Sequence, residues 1–117
     1  MIVTCVVHGN PAPKERVRVT DKGAYTPDST SGWEEAVGWA YKGLHLFSGP
    51  IATRLRFYRC DRRNVDLDNL IKAVLDGLNA VAYGDDSQIV RIEAELHYDR
   101  KNPRAEIEIW EMPDEDL

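Results

Sequence analysis

The sequence predicts a mixed α+β fold, a mixed β-sheet carrying two main helices in one compact domain over residues 1–117, on three observations. Two segments keep apolar residues at three- and four-residue spacing, the period of a helix with one buried stripe. Five short segments are rich in β-branched residues or alternate apolar with polar, the period of a strand. The two kinds are interleaved and separated only by brief clusters of Gly, Pro, Asn and Asp, with no repeat, no low-complexity tract and no long linker. With 117 residues, 43% of them hydrophobic, there is material for one core and too little length for two.

Taken in order, Ile2 to Val7 reads as a strand closed by Gly9, Asn10, Pro11 and Pro13. A second short strand is expected where Val17 and Val19 alternate with Arg16, Arg18 and Thr20, followed by a turn at Asp21 to Gly23. Ser31, Gly32, Trp33 and Glu34 have the form of a capping box, which starts a helix there. Trp33, Ala36, Val37, Ala40, Tyr41 and Leu44 give that helix its stripe, and Ser48, Gly49 and Pro50 end the segment. Ile51 to Tyr58 is the next strand, with Arg54 and Arg56 on its polar side. The second helix, about 66 to 82, is the clearest element, because Leu67, Leu70, Ile71, Val74, Leu75, Leu78, Val81 and Ala82 hold their spacing over four turns. Gln88 to Tyr98 and Ala105 to Trp110 alternate as strands about a turn at Asp99 to Pro103, and predict an antiparallel pair. Met112 to Leu117 reads as a frayed acidic tail.

The longest apolar runs are a few residues, and the amino-terminal stretch lacks a basic flank followed by an extended apolar run. Neither a membrane span nor a secretory signal is expected, and the reading is of a soluble intracellular protein. Cys5 and Cys60 form no CxxC and read as buried thiols, with no zinc site and no disulfide framework. The net charge of −5 is unevenly spread. Residues 1–63 carry ten Lys/Arg against six Asp/Glu; residues 64–117 carry five against fourteen. Arg54, Arg56, Glu93, Glu95, Glu106 and Glu108 fall on polar strand faces, where cross-strand pairs can absorb them.

Five acids, Asp66, Asp68, Asp76, Asp85 and Asp86, crowd into 21 residues, and their repulsion calls for something positive. Asp68, Lys72 and Asp76 follow at four-residue steps and share the helix face opposite the apolar stripe. The reversal before Gln88 can carry one of Asp85 and Asp86 back toward them. Carboxylates suit a hard divalent cation such as Mg²⁺, which uses few protein ligands and completes its shell with water and substrate phosphate. The competing structural reading makes Asp66 a helix cap, Asp68 and Lys72 an exposed ion pair, and Asp85 and Asp86 turn residues. An EF-hand loop from Asp66 fails, since Ile71 and Gly77 stand where glycine and an acid belong. There is no GxxxxGK[ST], no GxGxxG after a strand and no HExxH, and His8, His45 and His97 are scattered singly.

The run Asp61, Arg62, Arg63, Asn64, Val65, Asp66, Leu67, Asp68, Asn69, Leu70, Ile71, Lys72, on through Asp76 to Tyr83, Gly84, Asp85, Asp86, Ser87 and Gln88, resembles the RusA family of Holliday junction resolvases. So do the loop Gly9 to Arg18 and the run Tyr25, Thr26, Pro27 with Trp33 and Glu34. The resemblance implies a homodimeric, Mg²⁺-dependent endodeoxyribonuclease that cuts four-way DNA junctions in paired nicks, working in the cytoplasm of a bacterium or a phage-infected host. By the same resemblance Asp66, Asp68 and Asp86 would bind the metal and Lys72 would be the catalytic lysine, with Asp76, Asp85 and Asn69 in supporting places. Lys14, Arg16, Arg18, Arg62 and Arg63 are candidate contacts to the DNA backbone. A nuclease for other DNA structures and a nonenzymatic dimeric DNA-binding module are the alternatives.

Overall fold

The structure, a computed structural model, describes the backbone of residues 1–14, 18–20, 23–25 and 28–117 and the side chains of 1–14 and 31–117. Its elements run β1 (Ile2–His8), β2 (Arg18–Thr20), β3 (Gly23–Tyr25), α1 (Asp28–Tyr41), β4 (Ile51–Arg59), α2 (Leu67–Leu78), β5 (Ile89–Tyr98) and β6 (Arg104–Glu111). Strands β1, β6, β4 and β5 form one sheet in that order, and β2 pairs with β3 in a separate ribbon. The mixed α/β architecture with two main helices is the expected one. Of the early strand, Arg16 and Val17 lie outside the described residues, as do Asp21 and Lys22 of the turn.

Strand β4 is central because it is buried on one whole face and hydrogen-bonded on both edges, parallel to β5 and antiparallel to β6. Val7, Leu55, Phe57, Ala105, Ile107 and Ile109 cover the inner face of the sheet, and Trp33, Val37 and Tyr41 of α1 with Leu70, Ala73, Val74 and Leu78 of α2 close over it, all essentially buried. Each large apolar side chain so buried contributes about 1.5 to 3 kcal/mol. The outer face carries the charged rows expected of it. Arg54 reaches Glu108 at 2.8 Å and Glu93 at 3.4 Å, and Arg104 holds Glu106 and Asp99 at 3.0 Å each.

One pairing differs from the sequence expectation. Strands β5 and β6 do not pair with each other; β4 lies between them. The period-two pattern sets which face of a strand is buried but says nothing about which strand is its neighbour. Joining β4 to β5 through α2 makes a parallel crossover, and β6 then fills the other edge of β4 in the antiparallel sense.

Helix boundaries also move. α1 starts at Asp28, so Ser31 and Glu34 lie inside it, and it ends at Tyr41, ahead of Gly43 (φ +87°), which leaves Leu44 exposed. α2 stops at Leu78, four residues short of expectation, because Asn79 is extended and Ala80 takes a left-handed φ of 71°. Val81 and Ala82 keep their apolar contacts from a tight loop in which the N–H groups of both donate to Leu78 O. A non-glycine residue in that conformation costs roughly 1 to 2 kcal/mol, partly offset by its smaller unfolded-state entropy. Ala80→Gly is therefore expected to raise stability by roughly 0.5 to 1 kcal/mol in urea denaturation. At the C-terminus, Asp114 to Asp116 form a 3-10 turn rather than a frayed tail. Cys5 and Cys60 are free and half-buried rather than fully buried, and burial pushes the Cys5 thiol up to about 11. Among the described residues no helix is long and apolar enough to cross a membrane.

Candidate active site

The exposed flank of α2 is where the acidic run comes to lie. Asp66 is the N-cap residue, and its carbonyl accepts the N–H groups of Asn69 and Leu70 at 3.1 and 3.2 Å. Its carboxylate, however, makes no capping hydrogen bond and meets only Asn69 Nδ2 at 3.5 Å. Asp68 follows in the first turn, where the exposed N–H ends of the helix favour negative charge. Lys72 stands one turn from both Asp68 and Asp76, the spacing at which ion pairs form. It pairs with neither, nor with any other described residue.

Asp76 is engaged from outside its helix. Lys14 Nζ lies 3.1 Å from Asp76 Oδ2 and 2.7 Å from Glu34 Oε1, so one ammonium ties the loop after β1 to both helices. The Lys14 backbone N–H adds a 2.8 Å bond to Asn69 O in the first turn of α2. The bond to Glu34, with the one to Asp76 behind it, holds the Lys14 proton more firmly than usual. Lys14, half-buried and doubly paired, is thus a brace for the site rather than a free cation facing solvent. Arg16 lies outside the described residues, and only the backbone of Arg18 is described. Arg62 stacks over Tyr98 at 4.8 Å, and Arg63 is 86% exposed with Asp61 at 3.7 Å.

The two acids of the late pair have different environments. Asp85 is committed to its own loop: the Ser87 hydroxyl donates to its carboxylate, which with nearby backbone N–H groups holds it below the usual carboxylate range. Gln88 locks the turn by accepting the N–H groups of Gly84 and Asp85 at 2.8 and 3.1 Å and donating to Phe47 O and Gly49 O at 3.0 and 3.1 Å. Asp86 has no hydrogen-bond or ion-pair partner for its carboxylate among the described residues. Partial burial, then the charges of Asp76 and Asp85, hold its pKa above the ordinary value. Beneath it Tyr83 is fully buried, and its hydroxyl donates to Leu75 O at 2.5 Å, pinning the loop to the last turns of α2. Burial, with Asp86 and Asp76 adding to it, keeps that phenol protonated.

Lys14, Lys72, Leu75, Asp76, Asp86, Ile89 and Ile92 line one cavity of about 400 Å³. The fold therefore brings Lys72 and Asp76, which share a side of α2 as expected, together with Asp86, which the reversal before Gln88 carries back to them. Asp66 and Asp68 sit toward the other end of the flank; Asp68 is about 12 Å from Asp76 along the axis at 1.5 Å per residue. No three Asp, Glu, His or Cys side chains among the described residues stand close enough to hold an ion by themselves. The donor set is nonetheless all carboxylate oxygen, the chemistry of a hard divalent cation that takes one or two protein ligands and leaves the rest of its shell to water and phosphate. Sequence reasoning missed the bracing role of Glu34, which reads as half of a capping box. Twenty residues from Lys14 and 42 from Asp76, it carries no local signal of that partnership.

The family model described as Endodeoxyribonuclease RusA matches residues 8–110, a span that contains the cavity and the whole acidic flank. The chain is 43% identical over 63 residues to the crossover junction endodeoxyribonuclease rusA of Lactococcus phage r1t, covering 53% of this chain and 47% of that protein. It is also 43% identical over 47 residues to the uncharacterized protein YqaN of Bacillus subtilis (strain 168), covering 40% of this chain and 32% of that one. These matches span about half the length of the first relative and about a third of the second.

Proposed function

Because the chain belongs to the endodeoxyribonuclease RusA family, we propose that it is a metal-dependent endodeoxyribonuclease that resolves four-way DNA junctions by hydrolysing phosphodiesters in paired nicks. The observation that carries this reading is the idle state of four charged groups. Asp66 could cap α2, Asp68 and Lys72 could pair, and Asp86 could bond within its turn, yet among the described residues Asp66 meets only the Asn69 amide at 3.5 Å and the other three take no side-chain partner. These charges stand on one flank of α2 and the loop that follows it, where a cation and a phosphate can reach them.

The carboxylates of Asp66 and Asp68 at one end of the flank and of Asp86 at the other would be the protein ligands for Mg²⁺, one or two to an ion with water and phosphate completing its shell, and the ion when bound would supply charge stabilisation at the phosphate and lower the pKa of water. Asp86, its pKa raised by slight burial and by the charges of Asp76 and Asp85, gains most from a cation beside it. Lys72 is free to contact a nonbridging oxygen of the scissile phosphate or to donate its proton to the departing sugar oxygen. Water adds to phosphorus, the phosphorus–oxygen ester bond breaks, and a phosphomonoester and a free hydroxyl result. Lys14 positions rather than reacts: it pairs with Asp76, and Lys72 has no ion-pair partner among the described residues. Two copies related by a two-fold axis would present matching sites to a junction of the same symmetry.

The test is incubation of the purified protein with a synthetic four-way junction and a matched linear duplex, each with Mg²⁺ or with chelator. Symmetric nicking of the junction only, and only with metal, is the expected result. Cleavage that survives chelation would overturn the metal requirement, equal cutting of duplex would move the substrate to DNA in general, and binding without cutting under any divalent ion would leave only a binding module.

A further inference from the structure

A second cavity, of about 640 Å³, opens at the other end of α2 and is not used by the mechanism above. Its position is informative: Asn64 and Val65 in its wall immediately precede Asp66, and Pro13 immediately precedes Lys14. We propose that it takes one unstacked nucleobase of the bound DNA, next to the strand that is cut. This deepens the junction-nuclease reading and rests on it for the identity of the ligand as DNA.

The lining matches what a base requires. The size falls within the roughly 300 to 1,000 Å³ of small-molecule sites. Pro11, Ala12 and Val65 supply apolar walls, with Trp33, 94% buried, as a fixed aromatic floor. Two amides supply edge recognition. Asn10 spends its oxygen on the Cys60 N–H at 3.0 Å, which orients its NH₂ group and leaves it without a partner among the described residues. Asn64 has no partner there either. Side-chain amides pair with base edges, and enzymes that hold an extruded base combine such hydrogen bonds with apolar and aromatic packing. The rim is cationic. Arg59 donates Nε–H to Pro11 O at 3.2 Å and has no other side-chain partner among the described residues, while the exposed Arg63 meets Asp61 only loosely, at 3.7 Å, so both guanidiniums have N–H groups to offer a phosphate. A cation pair over an apolar, amide-bearing hollow suits a nucleotide with its phosphate at the mouth. Extrusion costs least where bases are poorly stacked.

Gly32 gives a clean way to close the cavity. It lines the wall, and among the described residues a Cβ built on it meets no atom within 4 Å. Gly32→Leu should therefore add bulk at the cavity wall without displacing a described neighbour, while improving helix propensity. Binding is measured in chelator, so that no cutting occurs, on four-way junctions whose branch-point nucleotides carry bases or are abasic. The natural chain is expected to bind the base-bearing junction about tenfold more tightly, the scale of one base stacked in a protein site. Gly32→Leu should bind both at the abasic affinity with its thermal unfolding unimpaired, and Asn64→Ala, which disturbs no described contact, should lose about half of the preference on a logarithmic scale. Equal affinity of the natural chain for both junctions, or a full preference kept by both variants, would overturn the proposal. The two readings fail separately. A protein that discriminates bases but never cuts with Mg²⁺ removes the nuclease and keeps the base site, and one that cuts junctions without discriminating does the reverse.

Discussion

Asp86→Asn is expected to give a folded protein that resists denaturation at neutral pH at least as well as its parent and no longer cuts a four-way junction. Both halves follow from the same environment. In the native state the Asp86 pKa is raised by burial first, then by Asp76 and Asp85. Between the unfolded pKa and this higher native one, the native state binds more protons than the unfolded state, so stability falls as pH rises through that window. Above it the cost of the ionised carboxylate is fully present. An amide of the same shape removes that cost, and because the residue is exposed the gain is small after solvent screening. The lost carboxylate, in contrast, is one that the proposed site uses for charge stabilisation, where removing a single group costs about 10²- to 10³-fold in rate or more. A purely structural Asp86 predicts the opposite pattern: a stability loss with cleavage intact. Denaturation midpoints at pH 7 and pH 4, beside single-turnover cleavage, separate the two. The parent should lose part of its disadvantage against the variant on acidification.

The same contrast shows what the sequence could and could not reveal. Helix α2 was legible because its stripe is redundant: Leu70, Val74 and Leu78 alone fix which side is buried, and hence that Asp68, Lys72 and Asp76 share the other. Its end was not legible, because Val81 and Ala82 continue the apolar pattern from a loop, and only the backbone at Asn79 and Ala80 turns the chain. The neighbour of β5 was equally hidden. The inward and outward alternation of Ile89 to Tyr98 would look the same beside β6 as beside β4, and the crossover through α2 decides it. Within the site, local chemistry could be read but partnership could not. Asp85 and Asp86 are adjacent and identical in kind, yet Ser87 and the turn amides claim the first, while the cavity claims the second. Lys14 looked like a surface cation because its partners, Glu34 and Asp76, come from two helices that meet only after folding.

That meeting depends on two glycines, and Gly77→Ala is expected to be the most damaging small substitution in the molecule. A Cβ at Gly77 would lie 2.8 Å from Glu34 O and 2.9 Å from Val37 Cβ, distances at which the helices must separate. The obstacle is main chain, which cannot rotate aside, so the loss should be about 3 kcal/mol, at the upper end of overpacking penalties. Gly38 faces the same crossing less tightly, its Cβ falling 3.3 Å from Gly77 O, and Gly38→Ala should cost less than half as much. Gly32→Ala, with open space around its Cβ, should gain up to about 1 kcal/mol from helix propensity. Val37→Ala will not rescue Gly77→Ala, because the Glu34 carbonyl and the Val37 Cβ both remain. The functional consequence follows from Lys14. Its ammonium spans Glu34 on α1 and Asp76 on α2 at 2.7 and 3.1 Å, a bridge that about 1 Å of helix separation would break at one end. The released Asp76 carboxylate would then compete for Lys72, one turn away on the same flank. Cleavage by Gly77→Ala, assayed at a temperature where the variant remains folded, should therefore fall more than its folded fraction does. Equal urea midpoints for Gly77→Ala and the parent would mean that the helices do not cross backbone to backbone and that Lys14 braces nothing.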